Sequence, residues 1–399
     1  MSSNRKAQKA ARKHRVANKK AAKERRAKEK RASHAKVAGA TKPKPGAPKN
    51  TKPKGAKPKT AAPKAAPSTG AAAKVVAPRA ATNATNAAPA AKPRSSRGIV
   101  PSKRAPDAPR PVPVTTGPLI GAHVSAAGGT PETPLRAADI GARCFQLFTK
   151  QGNRWADRVV TPEEAAAFRS ALREFPSAAV VAHDSYLINL ASPDPELRGR
   201  SIQSFIGEME RAEALGLLGV VSHPGNFMDE REAGLARNAD GIAEALERAP
   251  GHAKLFLETT AGSGTALGAT FEEIAAIIAR LPAAVRGRVG VCLDTCHVYS
   301  AGYDLVNDYD GVWARFDDVI GRERLGVLHL NDSKTPFASR KDRHEQIGDG
   351  SLGAEPFRRI MTDARLAGIP KLLETPKGDD LVTFDRRALA KLRAWGTGA

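Results

Sequence analysis

"VGVCLDTCHVYSAGYDL", residues 289–305, is a short apolar strand that stops abruptly at polar residues. Val289 to Leu293 form a run suited to burial, and Asp294, Cys296 and His297 follow within four positions. Seven other runs have a related form: "LIGAHV", "CFQLFT", "AVVAHDSY", "GVVSHP", "KLFLETT", "LGVLHLND" and "KLLETP". Between them lie segments with helix-start signals. Thr161-Pro-Glu-Glu164 precedes "AAAFRSAL", and Thr270-Phe-Glu-Glu273 precedes "IAAIIARL". Each supplies an N-cap threonine with a glutamate three residues on. Eight near-continuous apolar strands alternating with capped helices predict an α/β fold, a (β/α)8 TIM barrel over residues 118–399.

The segment before Pro118 has a different composition. Residues 1–118 carry 31 Lys and Arg against 3 Asp and Glu, a net charge of +28, while the remaining 281 residues carry 33 against 38, or −5. All the net basicity of the 399-residue chain therefore sits at one end. Residues 1–117 contain no Trp, Tyr or Phe and consist mainly of Lys, Arg, Ala and Pro. Such a composition cannot bury enough apolar surface to offset the entropy of folding, so it predicts a disordered tail. A run of cations of this density suits a tether to DNA or RNA phosphates. No apolar run approaches the roughly 18 residues that span a bilayer, so no membrane association is expected. Three cysteines, an odd and small number, fit a reducing interior: cytoplasm or nucleoid, with nucleus or organelle as alternatives.

Polar residues collect at the strand ends. His183, His223, His297, His329 and His344, with Glu258, Asp294, Asp342 and Glu374, fall at the C-terminal ends of the predicted strands or in the loops that follow. In a parallel barrel these ends converge on one face, where active sites are built. A lone histidine at a strand end is usually structural, but a carboxylate after "LFL" or "KLL" is costly without a cation or several donors. Nine such groups on one rim are too many for one tetrahedral ion and suit two or three, with zinc favoured and manganese or iron as substitutes. A thiolate site would need further Cys or His partners at zinc-finger spacing, and there are none. Cys292 and Cys296 are expected to be small buried hydrophobes, with Asp294 and His297 as the ligands.

Longer blocks extend the match. "IGAHVSAAGG", "FQLFTKQGNRW", "HDSYLINL", "HPGNF", "ETTAGSGTALG", "VGVCLDTCHVYSAGYDL", "HLNDSKTPFASRKDRHEQIGDGSLG" and "LLETP" closely resemble the endonuclease IV family of abasic-site (AP) endonucleases, in order, over residues 118–376. The resemblance implies a barrel with three zinc ions. His183 and His223 would hold the first, with Glu258 bridging it to the second. Asp294, His329 and Glu374 would complete the second, and His297, Asp342 and His344 would hold the third. It also implies a monomer acting on double-stranded DNA that contains abasic sites. The phosphodiester 5′ to the lesion would be hydrolysed to leave a 3′-hydroxyl and a 5′-deoxyribose phosphate, Glu258 being catalytic through the ions it shares. Trimming of blocked 3′ ends is a further implied activity.

An abasic site offers no base to read, so recognition would rest on side chains inserted into the stack. The matching loop after the third strand holds Tyr186 and Leu187. The loop after the second departs from the family pattern, with Asn153 where many relatives carry arginine and Arg154 directly before Trp155. Arg154 is the candidate to take that role. Lys334, Arg340, Lys341 and Arg343 flank Asp342 and His344 and are candidates to meet DNA phosphates. Two rival readings share some of these features: a metal-dependent sugar isomerase on a related barrel, and a non-enzymatic DNA-coating protein acting through its tail.

Overall fold

Inward and outward side chains alternate along each barrel strand, and that alternation decides where the site lies. The computed structural model describes residues 110–397. Its strands are β1 (Ile120–His123), β2 (Cys144–Phe148), β3 (Ala179–His183), β4 (Gly219–Ser222), β5 (Lys254–Glu258), β6 (Val289–Asp294), β7 (Leu325–His329), β8 (Asp332–Ser333), β9 (His344–Glu345) and β10 (Lys371–Leu373). Eight of them close into a barrel in the order β1-β10-β7-β6-β5-β4-β3-β2. Every neighbouring pair in it is parallel. The predicted TIM barrel is thus the fold, with all eight expected strands present. The antiparallel ribbon of β8 and β9 was not expected, because two-residue strands leave no periodicity in a sequence.

Outward residues such as Phe145, Leu147, Val220, Leu255, Leu257 and Leu293 pack beneath the helices, together with the fully buried Phe205, Phe271 and Phe316. Inward residues form a separate cluster of Cys144, Val181, Val221, Phe256, Cys292, Val327 and Leu372. The two predicted caps form: Thr161 accepts from the Glu164 N–H and Thr270 from the Glu273 N–H, each at 3.2 Å. Glu273 also turns back to accept from the N–H groups of Gly268 and Ala269, at 2.8 and 3.0 Å. It thereby pins the loop that leaves β5.

The tail assigned to residues 1–117 lies outside the described residues as far as residue 109. Residues 110–117 lead into β1 at the N-terminal mouth of the barrel, where Arg110 pairs with Glu174 and the Gly117 carbonyl accepts from Arg143. Among the described residues, no helix is long and apolar enough to cross a membrane.

Candidate metal centre

Six metal-ligand candidates lie on a barrel strand or, for His223 and Glu374, one residue past its end, and each stands two residues beyond an inward apolar position. Val181 leads to His183, Val221 to His223, Phe256 to Glu258, Cys292 to Asp294, Val327 to His329 and Leu372 to Glu374. Because side chains alternate with period two, all six face the barrel axis in the layer nearest the C-terminal mouth. The other three arrive from connecting segments. His297 lies in the first turn of the helix Thr295–Ala301, for which Asp294 is the N-cap, its Oδ1 accepting from the His297 N–H at 2.8 Å. Asp342 and His344 come from the loop that ends in β9.

Among the described residues, five groups have ligand atoms within 4.8 Å of one another; three hold only candidates named from the sequence (His183, His223 and Glu258; Glu258, Asp294, His329 and Glu374; His297, Asp342 and His344), and the other two add Cys292 to Glu258 and His329 and Cys296 to Asp294 and His344. Glu258 is shared by the first two. Its Oε2 lies 3.2 Å from His183 Nε2 and 2.9 Å from His223 Nε2, while its Oε1 lies 2.9 Å from His329 Nδ1. In the third group Asp342 Oδ2 is 3.4 Å from His297 Nε2, and its Oδ1 is 3.2 Å from His344 Nε2. Both Nε2 atoms are buried and make no hydrogen bond, despite those carboxylate oxygens nearby. Two orphaned imidazole nitrogens turned toward one carboxylate are donors arranged around a cation, so the residues fit the metal ions that the sequence implies.

Outer contacts fix the rings. The Nδ1–H of His183 donates to the Asp184 carbonyl (3.0 Å), that of His297 to Thr259 (2.8 Å) and that of His344 to Glu374 (3.3 Å), which leaves Nε2 of all three turned to the carboxylates of the centre. Asn331 donates to Asp294 Oδ2 (2.6 Å) and accepts from the Glu374 backbone N–H (2.9 Å), tying the Asp294 carboxylate to the backbone that carries Glu374. In the metal-free protein, burial favours neutral imidazoles, but the carboxylates outweigh it. Glu258, Glu374 and Asp184 hold His183 at about 10, and Asp294 with Asp342 holds His344 at about 9. Glu374, although buried, is held down at about 2, chiefly by the charge of His329.

The loop carrying Asp342 and His344 is fastened under strain. Ala338 and Arg340 have φ of 54°, in the left-handed region that non-glycine residues rarely adopt. Their N–H groups donate to the carbonyls of Tyr299 and Ser300, at 3.2 and 2.9 Å, and Ser300 Oγ donates to the Lys341 carbonyl at 3.0 Å. The third group is thereby locked to the helix that carries His297.

The DNA-contact candidates surround this mouth. Tyr186 is 70% exposed, with its ring edge-on to Phe148 at 5.3 Å, and Leu187 beside it is half-buried. Arg154, Lys334, Arg340, Lys341 and Arg343 are exposed. Arg343 donates to the Asp342 carbonyl (2.6 Å), and Lys334 lies 3.9 Å from Glu345. Trp155 packs under Arg200 at 4.5 Å rather than under Arg154. The cysteines are buried as expected. Cys292 and Cys296 each lie near ligand atoms, but burial raises both thiols, Cys296 to about 11, so they sit in their neutral form. Sequence reasoning missed His123 and Gln146. Both follow the same two-residue rule, one step beyond Gly121 and Cys144, and both reach the ligand layer. A sixth histidine therefore belongs at the strand ends, where five had been counted.

Residues 134–395 match the family model described as "Xylose isomerase-like TIM barrel". A probable endonuclease 4 of Chloroflexus aurantiacus is 43% identical over 286 residues, 71% of this chain and 99% of that protein. One of Geobacter sulfurreducens is 46% identical over 278 residues, 69% of this chain and 93% of that protein. The crystal structure of endonuclease IV from Thermus thermophilus superposes with a TM-score of 0.64 at 37% identity, covering 71% of this chain and all of that one.

Proposed function

We propose that this chain, which belongs to the endonuclease IV family of AP endonucleases and so is a hydrolase acting on DNA, is a zinc enzyme that hydrolyses the phosphodiester 5′ to an abasic site in double-stranded DNA. The products are a 3′-hydroxyl and a 5′-deoxyribose phosphate, and the same centre trims blocked 3′ ends. The observation that carries this reading is the set of three ligand groups, the first two of which share Glu258. His183 and His223 would hold the first ion with Glu258. Glu258, Asp294, His329 and Glu374 would hold the second, and His297, Asp342 and His344 the third. Zinc held by these residues would lower the pKa of water and offset charge developing on the phosphate.

The chain's own side chains do the rest. Glu258, fully buried, keeps the first two groups at a fixed separation, since one carboxylate serves both. The Asn331 amide keeps Asp294 Oδ2 from turning away from the centre. No thiol nucleophile is at hand, because burial keeps Cys292 protonated. Tyr186, exposed at the rim and braced by Phe148, enters the gap left by the missing base together with Leu187. Lys334, Arg340 and Arg343 meet phosphates beside the third group, and Arg154 approaches from the loop after β2. The complete ligand set comes from one chain, so a monomer suffices.

The barrel itself is net negative, so residues 1–117, with nearly all the excess positive charge, add attraction to DNA or RNA phosphates. The protein would act in the cytoplasm, associated with the nucleoid. The decisive test uses an end-labelled duplex with one tetrahydrofuran abasic analogue. A single cut 5′ to the lesion, lost with a chelator and restored by zinc, is expected; no cut by zinc-loaded protein overturns the reading.

A further inference from the structure

β1 and β2 supply no metal ligand, yet both place a polar side chain in the ligand layer. Gln146, fully buried on β2, makes three contacts there. Its Nε2 donates to Glu374 Oε1 at 2.6 Å, its second N–H reaches His123 Nδ1 at 3.0 Å, and its Oε1 lies 2.9 Å from His329 Nε2. The direction of the amide follows from charge. The opposite orientation would set its carbonyl oxygen against the Glu374 carboxylate, with neither carrying a proton to share. With the NH2 on Glu374, the Gln146 carbonyl must accept from His329, so Nε2 of His329 keeps its proton whatever the charge of the ring. Nδ1 is then the nitrogen left for a cation, facing Glu258 Oε1 at 2.9 Å, Glu374 Oε2 at 3.3 Å and Asp294 Oδ2 at 3.9 Å.

His329 thus differs from three of its fellow ligands. His183, His297 and His344 are each fixed by Nδ1 donating to a backbone carbonyl and present Nε2 inward. His329 presents Nδ1 inward and meets a side chain, not the backbone, with its outer nitrogen. The backbone cannot set its tautomer. Gln146 also accounts for the pose of Glu374, since engaging Oε1 leaves Oε2 turned toward the second group. His123, half-buried on β1, occupies the remaining amide proton and limits rotation of the amide.

We propose that Gln146 is a positioning residue for the second metal ion, setting the tautomer of His329 and the rotamer of Glu374 in one contact, with His123 as its support. This rests on the metal-centre reading above. The test is competition between the purified full-length protein and a chromophoric zinc chelator, with Gln146→Leu and Gln146→Glu as variants and far-ultraviolet circular dichroism as the check on folding. Leucine removes all three polar contacts at similar volume and is expected to weaken one class of zinc site about 10–100-fold, the usual effect of deleting an outer-shell partner, while the other classes titrate as in the parent. Glutamate keeps the acceptor for His329 but sets a second carboxylate beside Glu374, and is expected to fall between the parent and leucine. A changed visible spectrum of the cobalt-loaded leucine variant would place the effect at a ligand. Folded Q146L with parental zinc competition and cobalt spectrum overturns the proposal, and so does a uniform weakening of every site. A parent protein that retains no zinc against the chelator overturns the metal-centre reading and this one with it.

Discussion

The two mouths of the barrel use the same eight strands and the same alternation, yet they are chemically opposite. At the C-terminal mouth the inward positions carry His123, Gln146, His183, His223, Glu258, Asp294, His329 and Glu374. Toward the N-terminal mouth the inward space belongs to Phe256, set among glycines. A Cβ at Gly326 would lie 2.1 Å from the Phe256 ring, and Cβ atoms at Gly219 and Gly290 would lie 2.9 and 3.0 Å from it. Gly326 is also the residue skipped where β6 and β7 change register, since Val291 pairs with Leu325 and Cys292 with Val327. A parallel barrel can therefore separate chemistry from packing along its axis. One end tolerates crowded charge because ions can balance it, and the other is closed by one large ring for which three side chains have been omitted.

Substitutions at the two ends should break different properties. Glu258→Ala removes a carboxylate shared by two ion groups and is expected to lower incision at least about 10²–10³-fold, the scale seen when one electrostatic stabiliser is removed. Binding to an abasic duplex, measured by fluorescence anisotropy, should persist. Near-parental turnover would mean that the bridge is dispensable. Phe256→Ala is expected to do the reverse, costing about 3–5 kcal/mol in urea unfolding with single-turnover incision within a few-fold of the parent below the transition. Were the stability loss only about 1 kcal/mol, the size of an ordinary point substitution, the packing half of the comparison would fail.

The charged end also predicts how pH acts on the metal-free protein. His183 at about 10 and His344 at about 9 lie above the roughly 6.5 of an unfolded histidine. Raised histidines contribute stability that is complete below about 6.5 and lost as pH rises through the folded values. The urea midpoint of chelator-stripped protein should fall between pH 7 and 10. Apparent zinc affinity should rise over the same interval, because zinc displaces those protons. A midpoint that climbs over that range would contradict the assignment.

Smaller effects concern the rim and the tail. Deleting residues 1–109 should flatten the dependence of log Kd on log salt by about 0.9 for each phosphate the tail neutralises; an identical slope would show that the tail makes no contact with DNA. Ala338→Gly relieves a left-handed residue but gains unfolded-state entropy, so the net change in stability should stay within about 1 kcal/mol. Incision should be unaffected, because the N–H bond to Tyr299 needs no side chain.

The strands and most of the site were legible because both depend on short-range pattern. An apolar run that ends in histidine or carboxylate marks an inward polar group, and at six of the ligand candidates that group stands two residues beyond an inward apolar position. The same rule pointed to His123 and Gln146, but "GAHV" begins from a glycine and glutamine is no metal ligand, so neither stood out. The β8–β9 ribbon and the left-handed Ala338 and Arg340 left no signal, since they arise from how one loop is fastened to a helix.

Alternation, capping and composition are local properties, so the barrel, the nine ligand candidates and the confinement of positive charge to one end were readable along the chain. The partners were not: that Glu258 faces two groups at once, that His297 and His344 turn unpaired nitrogens to Asp342, and that Gln146 meets His329 are outcomes of folding. Glu258 meets His183 across 75 positions of chain and Gln146 meets His329 across 183. Closure of the sheet, not any stretch of sequence, brings such residues within ångströms.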